Sequence, residues 1–170
     1  MDLRAEILKE HSRVQSEKIA KWIGNNPDRF KEFMHLFLND EYRVVQRAAW
    51  VLSVVAEKHH ELALPYLPAM VKKMSEPGVH VAVKRNVVRI LQFIEIPEEL
   101  HGDIMNACFD LLGDLKETIA VRVFAMTVLA NLAKTYPDIK QELRTIIEDE
   151  LSHEPSKAFI ARSKQLLKNL

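Results

Sequence analysis

Apolar positions recur along this chain at helical spacing, and the pattern then repeats at a longer period. Stepping four, seven, eight and eleven residues from Val121 gives Ala125, Val128, Leu129 and Leu132, one face of a helix. The same steps give Val87, Ile90, Leu91 and Ile94 from Val83, and Ala48, Val51, Leu52 and Val55 from Val44. From Phe159 they give Ser163, Leu166, Leu167 and Leu170. These starts lie 39, 38 and 38 residues apart. Four further stripes fall between or before them: Phe30, Phe33, Met34, Phe37; Leu67, Met70, Val71, Met74; Ile104, Cys108, Leu111, Leu112; and Ile139, Leu143, Ile146, Ile147.

Two helices per unit at this period predict an all-α helical repeat of about four pairs. The pairs cover 2–39, 41–75, 80–113 and 117–151, with a terminal capping helix over 155–170, in one domain of 170 residues. Pro27, Pro65, Pro97 and Pro137 stand where the second helix of each pair begins, because first-turn amides have no partner inside the helix. Ser75, Pro77 and Gly78 mark a turn between units. The first helix, Asp2 to about Asn25, is longer than the others, and Ser12 with Gln15 reads as a capping box that breaks it. One pair cannot bury its own apolar face, so stacked neighbours complete the core.

The segment from Asp40 to Leu52, DEYRVVQRAAWVL, resembles the first helix of a HEAT repeat, with its acidic start, V-R-x-x-A core and closing leucine. Val45 stands at the arginine position of that core. Val121-Arg122-Val123-Phe124-Ala125 matches it fully, and Val83-Lys84-Arg85-Asn86-Val87 more loosely. The chain is therefore similar to the HEAT family and its armadillo-like relatives. The resemblance implies a right-handed α-α superhelix, or α-solenoid, with second helices on the concave side. It also implies a protein-binding scaffold.

Composition narrows the chemistry. Hydrophobic residues make up 48% and charged residues 28%, and 24 basic side chains balance 24 acidic ones. The balance provides no global field toward nucleic acid or membrane. With Cys108 the only cysteine, no internal disulfide or cysteine-based zinc cluster forms, and a cytoplasmic location is the natural expectation. The start, MDLRAEILKEHSR, has no apolar signal core, and the longest uncharged run is too short to span a bilayer.

The four glycines are isolated, which excludes the usual phosphate-cradling loops. His60-Glu61 and His153-Glu154 begin like zinc-protease motifs, but neither has a second histidine four residues on. His59 and His60 are adjacent and diverge on a helix. His35, His80 and His101 show no pairing. No catalytic residue, metal ligand or cofactor is nominated. Cys108 lies on a buried stripe and reads as a small apolar filler, and Trp22 sits at core spacing with Ile19 and Ile23.

Charge is more informative. First helices carry Arg43 and Arg47, then Lys84, Arg85 and Arg89, then Arg122. The second helices of the third and fourth pairs are rich in carboxylates, among them Asp103, Asp110 and Glu142. Because helix type sorts by surface in a repeat, one face leans basic and the other acidic. The acidic face, through Asp103, Asp110 and Glu142, fits a basic protein or peptide partner. The alternative is nucleic acid bound through the basic face, with Trp50 as a stacking group. Some HEAT-like proteins are DNA glycosylases for alkylated bases, and Asp40 or Glu41 near Trp50 would then supply the carboxylate. A homodimer through Phe159, Ile160 and Leu170 of the terminal helix is compatible with either reading.

Overall fold

The computed structural model describes residues 1–153 and 155–170, and no β-strand occurs among them. The chain forms two compact units, Met1–Ile94 and Glu95–Leu170. The boundary falls inside the predicted third pair.

The N-terminal unit holds α1 (Leu3–Lys9), α2 (Arg13–Ile23), α3 (Pro27–Asn39), α4 (Tyr42–Lys58), α5 (His60–Ala63), α6 (Leu67–Met74) and α7 (Val81–Leu91). Its centre is α4, against which α1, α2, α3 and α7 pack. The stripe Val44, Ala48, Val51, Leu52 and Val55 is almost fully buried there, as are Phe30, Phe33, Met34 and Phe37 from α3.

The long first helix is two helices. Ser12 Oγ accepts the Gln15 amide at 3.1 Å and caps α2, as the sequence predicts. The reciprocal half of a capping box is not made. The Gln15 side chain instead donates to the carbonyl and carboxylate of Glu6, each at 2.7 Å, and so ties α2 back to α1. Pro27 opens α3, with Asn26 as its cap. Pro65 acts differently: it sits in a 3-10 turn, Leu64–Tyr66, which divides the second helix of its pair into α5 and α6. Gly78, at φ 73° in the turn before α7, adopts the left-handed conformation that glycine tolerates best. Helix α7 stops at Leu91, short of the predicted Ile94, although Ile94 remains buried.

The C-terminal unit holds α8 (His101–Gly113), α9 (Ile119–Leu132), α10 (Ile139–Leu151) and α11 (Lys157–Leu166), with a 3-10 turn over Glu98–Leu100 after Pro97. Helix α9 is the apolar centre, covered by α8, α10 and α11. Ile104, Cys108 and Leu112 face it from α8, and Leu143 and Ile147 are the buried residues of α10. Leu111, Ile139 and Ile146, assigned to the same stripes, are half-buried.

Phe159 of α11 is completely buried, so it is not available to a second copy of the chain. The arginine of α9 accounts for this. Arg122, with only 4% of its side chain exposed, lies over the Phe159 ring, its Cζ 5.3 Å from the centroid. Ser163 is buried as well, donating to Met126 Sδ at 3.8 Å.

Candidate functional site

The acidic candidates lie in the C-terminal unit. On α8 the exposed positions Asp103, Asn106 and Asp110 follow helical spacing, which places the two aspartates two turns, about 10.5 Å, apart on one stripe. Glu142 is exposed on α10. None of these three carboxylates has an ion pair or side-chain hydrogen bond among the described residues. Their neighbours differ: Glu148 pairs with Arg144 at 3.3 Å, and Glu150 with Arg122. This unit carries 9 basic and 13 acidic side chains, the N-terminal unit 15 and 11. The neutral total conceals two oppositely charged units.

The proposed basic face does not survive intact. Arg122 is buried and committed: its Nε donates to the Leu112 carbonyl at 2.9 Å, and Nη1 and Nη2 grip Glu150 in a fork, each at 2.9 Å. A guanidinium can enter a core only when its donors are satisfied in this way. That contact holds the Glu150 carboxyl below its ordinary range. Arg89 is paired with Glu57. Arg47 is half-buried and donates to the Leu8 carbonyl at 2.6 Å, covering an acceptor left open at the end of α1. Lys84 is half-buried on α7, while Arg43 and Arg85 are exposed.

What the N-terminal unit does assemble is a basic and aromatic patch. Trp50 is half-buried and meets His11 edge to face at 5.5 Å. Tyr42, 61% exposed, meets His80 in the same way at 5.5 Å. His80 Nδ1 accepts the Ala82 amide at 2.9 Å and caps α7, so its proton resides on Nε2. His11 is held below the ordinary histidine range, first by burial and then by the positive fields of Arg47 and Arg85. Beside Tyr42 and His80 the turn before α7 leaves a hollow of about 190 Å³.

Sequence reasoning gave His11 no role, since it lies in the break between two helices, outside any periodic stripe. Trp22 is also displaced from its expected place. It is half-buried beneath Arg29, whose Cζ is 4.6 Å from the ring and whose Nη1 donates to the Trp22 carbonyl.

The carboxylates suggested for base excision are already engaged. Asp40 and Glu41 both bind Arg4 at 3.0 Å, and the Arg4 hydrogen bond holds Asp40 below its ordinary range. His101, for which the sequence showed no partner, bridges Ile96 O at 2.8 Å and Tyr136 Oη at 2.9 Å. Since a carbonyl only accepts, Nε2 donates in the contact with Ile96.

No group of three or more histidine, cysteine, aspartate or glutamate side chains suited to a metal occurs among the described residues. Glu154, of the His153-Glu154 pair, lies outside them. No described helix is long and apolar enough to cross a membrane.

A family model described as HEAT repeat domain matches residues 3–170. The chain belongs to the HEAT repeat family. Comparison with curated proteins and with solved structures gave no match. Membership agrees with the all-α helical repeat and makes the exposed helix faces of this HEAT domain the surfaces to consider.

Cys108 is a poor candidate for chemistry in this domain. It is fully buried on α8, and burial pushes its thiol up to about 12. The thiolate is the reactive form, so at pH 8 the folded HEAT domain is expected to resist iodoacetamide. Urea unfolding is expected to expose Cys108 and permit complete alkylation. Mass spectrometry with and without urea checks both outcomes.

Proposed function

We propose that this HEAT domain is a non-enzymatic interaction module whose acidic stripes in the C-terminal unit hold a basic protein segment. The observation that carries this reading is the contrast among its carboxylates. Glu148 and Glu150 are neutralised by Arg144 and Arg122, whereas Asp103, Asp110 and Glu142 are exposed without a cation among the described residues. Free surface carboxylates are well hydrated and are no liability alone. Two of them in register on α8, in a unit with excess negative charge, match regularly spaced lysines or arginines. HEAT repeats generally mediate protein interactions, which supports the same class of function.

The test is titration of a fluorescein-labelled oligolysine peptide with the full chain, followed by anisotropy. Rim charges act mainly through long-range attraction, so affinity is expected to fall as salt rises. The double variant Asp103→Lys with Asp110→Lys is expected to lose roughly tenfold or more in affinity. Asp103 lies in the first turn of α8, where a carboxylate favours the helix, so circular dichroism checks that the variant keeps its helices. Equal binding by variant and parent would remove this surface from consideration.

A further inference from the structure

We propose that the basic and aromatic patch of the N-terminal unit is a binding site for single-stranded nucleic acid. It is separate from the acidic stripes and does not depend on their role.

Two ring pairs mark its ends. Tyr42 with His80 and Trp50 with His11 stand eight residues apart on α4, a span of about 12 Å. Arg43 and Arg85 are exposed and have no anionic partner among the described residues. Their charges are therefore available to phosphate, unlike those of Arg89 and Arg122. Arg47 uses its donors to hold the end of α1 yet keeps its positive charge beside His11. Arg47 and Arg85 both lower the basicity of His11, so their positive fields overlap beside it.

The rings decide the kind of anion. An acidic peptide would engage the guanidinium groups but has no aromatic face to offer a tyrosine that is 61% exposed. A duplex keeps its bases stacked inside and would present phosphate alone. A single strand supplies both phosphate for Arg43 and Arg85 and unstacked bases for the rings. The hollow of about 190 Å³ beside Tyr42 and His80 leaves room for a base rather than a whole nucleotide, and the Asp40 and Glu76 carboxylates in its lining are paired with Arg4 and Lys73.

The experiment uses the full chain and a fluorescein-labelled oligothymidylate of roughly ten nucleotides, within the usual site sizes. Duplex DNA of equal length and polyglutamate serve as competitors. Saturable binding is expected, and two phosphate contacts predict that log K falls against log salt with a slope of about −1.4. Arg43→Gln with Arg85→Gln is expected to flatten that slope. Tyr42→Ala is expected to weaken binding by roughly tenfold with little change in slope, because stacking is less sensitive to salt. All three side chains are exposed, and circular dichroism verifies that the variants fold. Absence of saturable binding would overturn the proposal, as would equal binding by the arginine variant. Tighter binding of duplex or polyglutamate would assign the patch to a different partner and equally overturn it.

Discussion

Phe33→Ala is expected to destabilise the N-terminal unit by about 4 kcal/mol, the largest effect of any single substitution considered. The ring is fully buried on α3, with Phe30 at a centroid distance of 6.0 Å. Truncation removes the transfer energy of the aromatic ring and leaves a cavity that α4 and α6 cannot fill, because each is already packed against other helices. Domains of ordinary stability retain only about 5–15 kcal/mol in total, so much of the margin disappears with one side chain. Urea denaturation followed by circular dichroism measures the loss. Phe93→Ala is the control: that ring is 46% exposed, and its removal is expected to stay within about 0.5 kcal/mol. Equal effects for the two rings would mean that α3 is not packed onto α4 as described above.

Arg122→Met is the second large effect, expected at about 3 kcal/mol. Methionine replaces the volume over Phe159 but leaves the Leu112 carbonyl and the Glu150 carboxylate without their donor. Removing one member of a buried pair is costly because the remaining charge is stranded. The value is at the low end of that range since Glu150 keeps 20% of its side chain in solvent.

The pH dependence separates this cause from simple packing loss. Glu150 is held below its ordinary range in the folded protein, chiefly by Arg122. Its contribution is fully present above the unfolded value near 4.5. It is lost as pH falls through the lower folded value, when carboxylate becomes carboxylic acid. Parent and variant are therefore expected to differ most at neutral pH and to converge in acid. A difference independent of pH would assign the loss to packing alone.

The same residue shows how far the chain could be read in advance. Periodicity located the apolar stripes well, because burial of Val44, Val83 and Val121 depends mainly on their spacing along one helix. Ser12 and Pro27 were legible for a similar reason: a cap and a first-turn proline act within a few residues. Arg122 misled, since a cation beside an apolar stripe reads as surface unless its partners are known. Those partners are Leu112, ten residues earlier, and Glu150, twenty-eight later. His101 and Tyr136 likewise meet across thirty-five residues.

Of the candidate surfaces, the exposed stripe of Asp103 and Asp110 follows from helical spacing. The meeting of His11 with Trp50 does not. It depends on how the α1–α2 break is folded back onto α4, which involves the Gln15 and Arg47 hydrogen bonds to backbone carbonyls. Side chains that recognise a backbone carbonyl leave no periodic mark in a sequence.

Packing in both units also has a kinetic side. Helix α4 is covered by α3 immediately before it and by α7 one repeat later, and α9 by α8 before it and α11 one repeat later. The main helix contacts reach no further than about one repeat along the chain, which limits the loop-closure entropy of each. Chains rich in such near-neighbour contacts fold faster than those built from more distant pairings. During synthesis, the apolar stripe of α4 or α9 therefore waits for the following repeat before its second cover can pack.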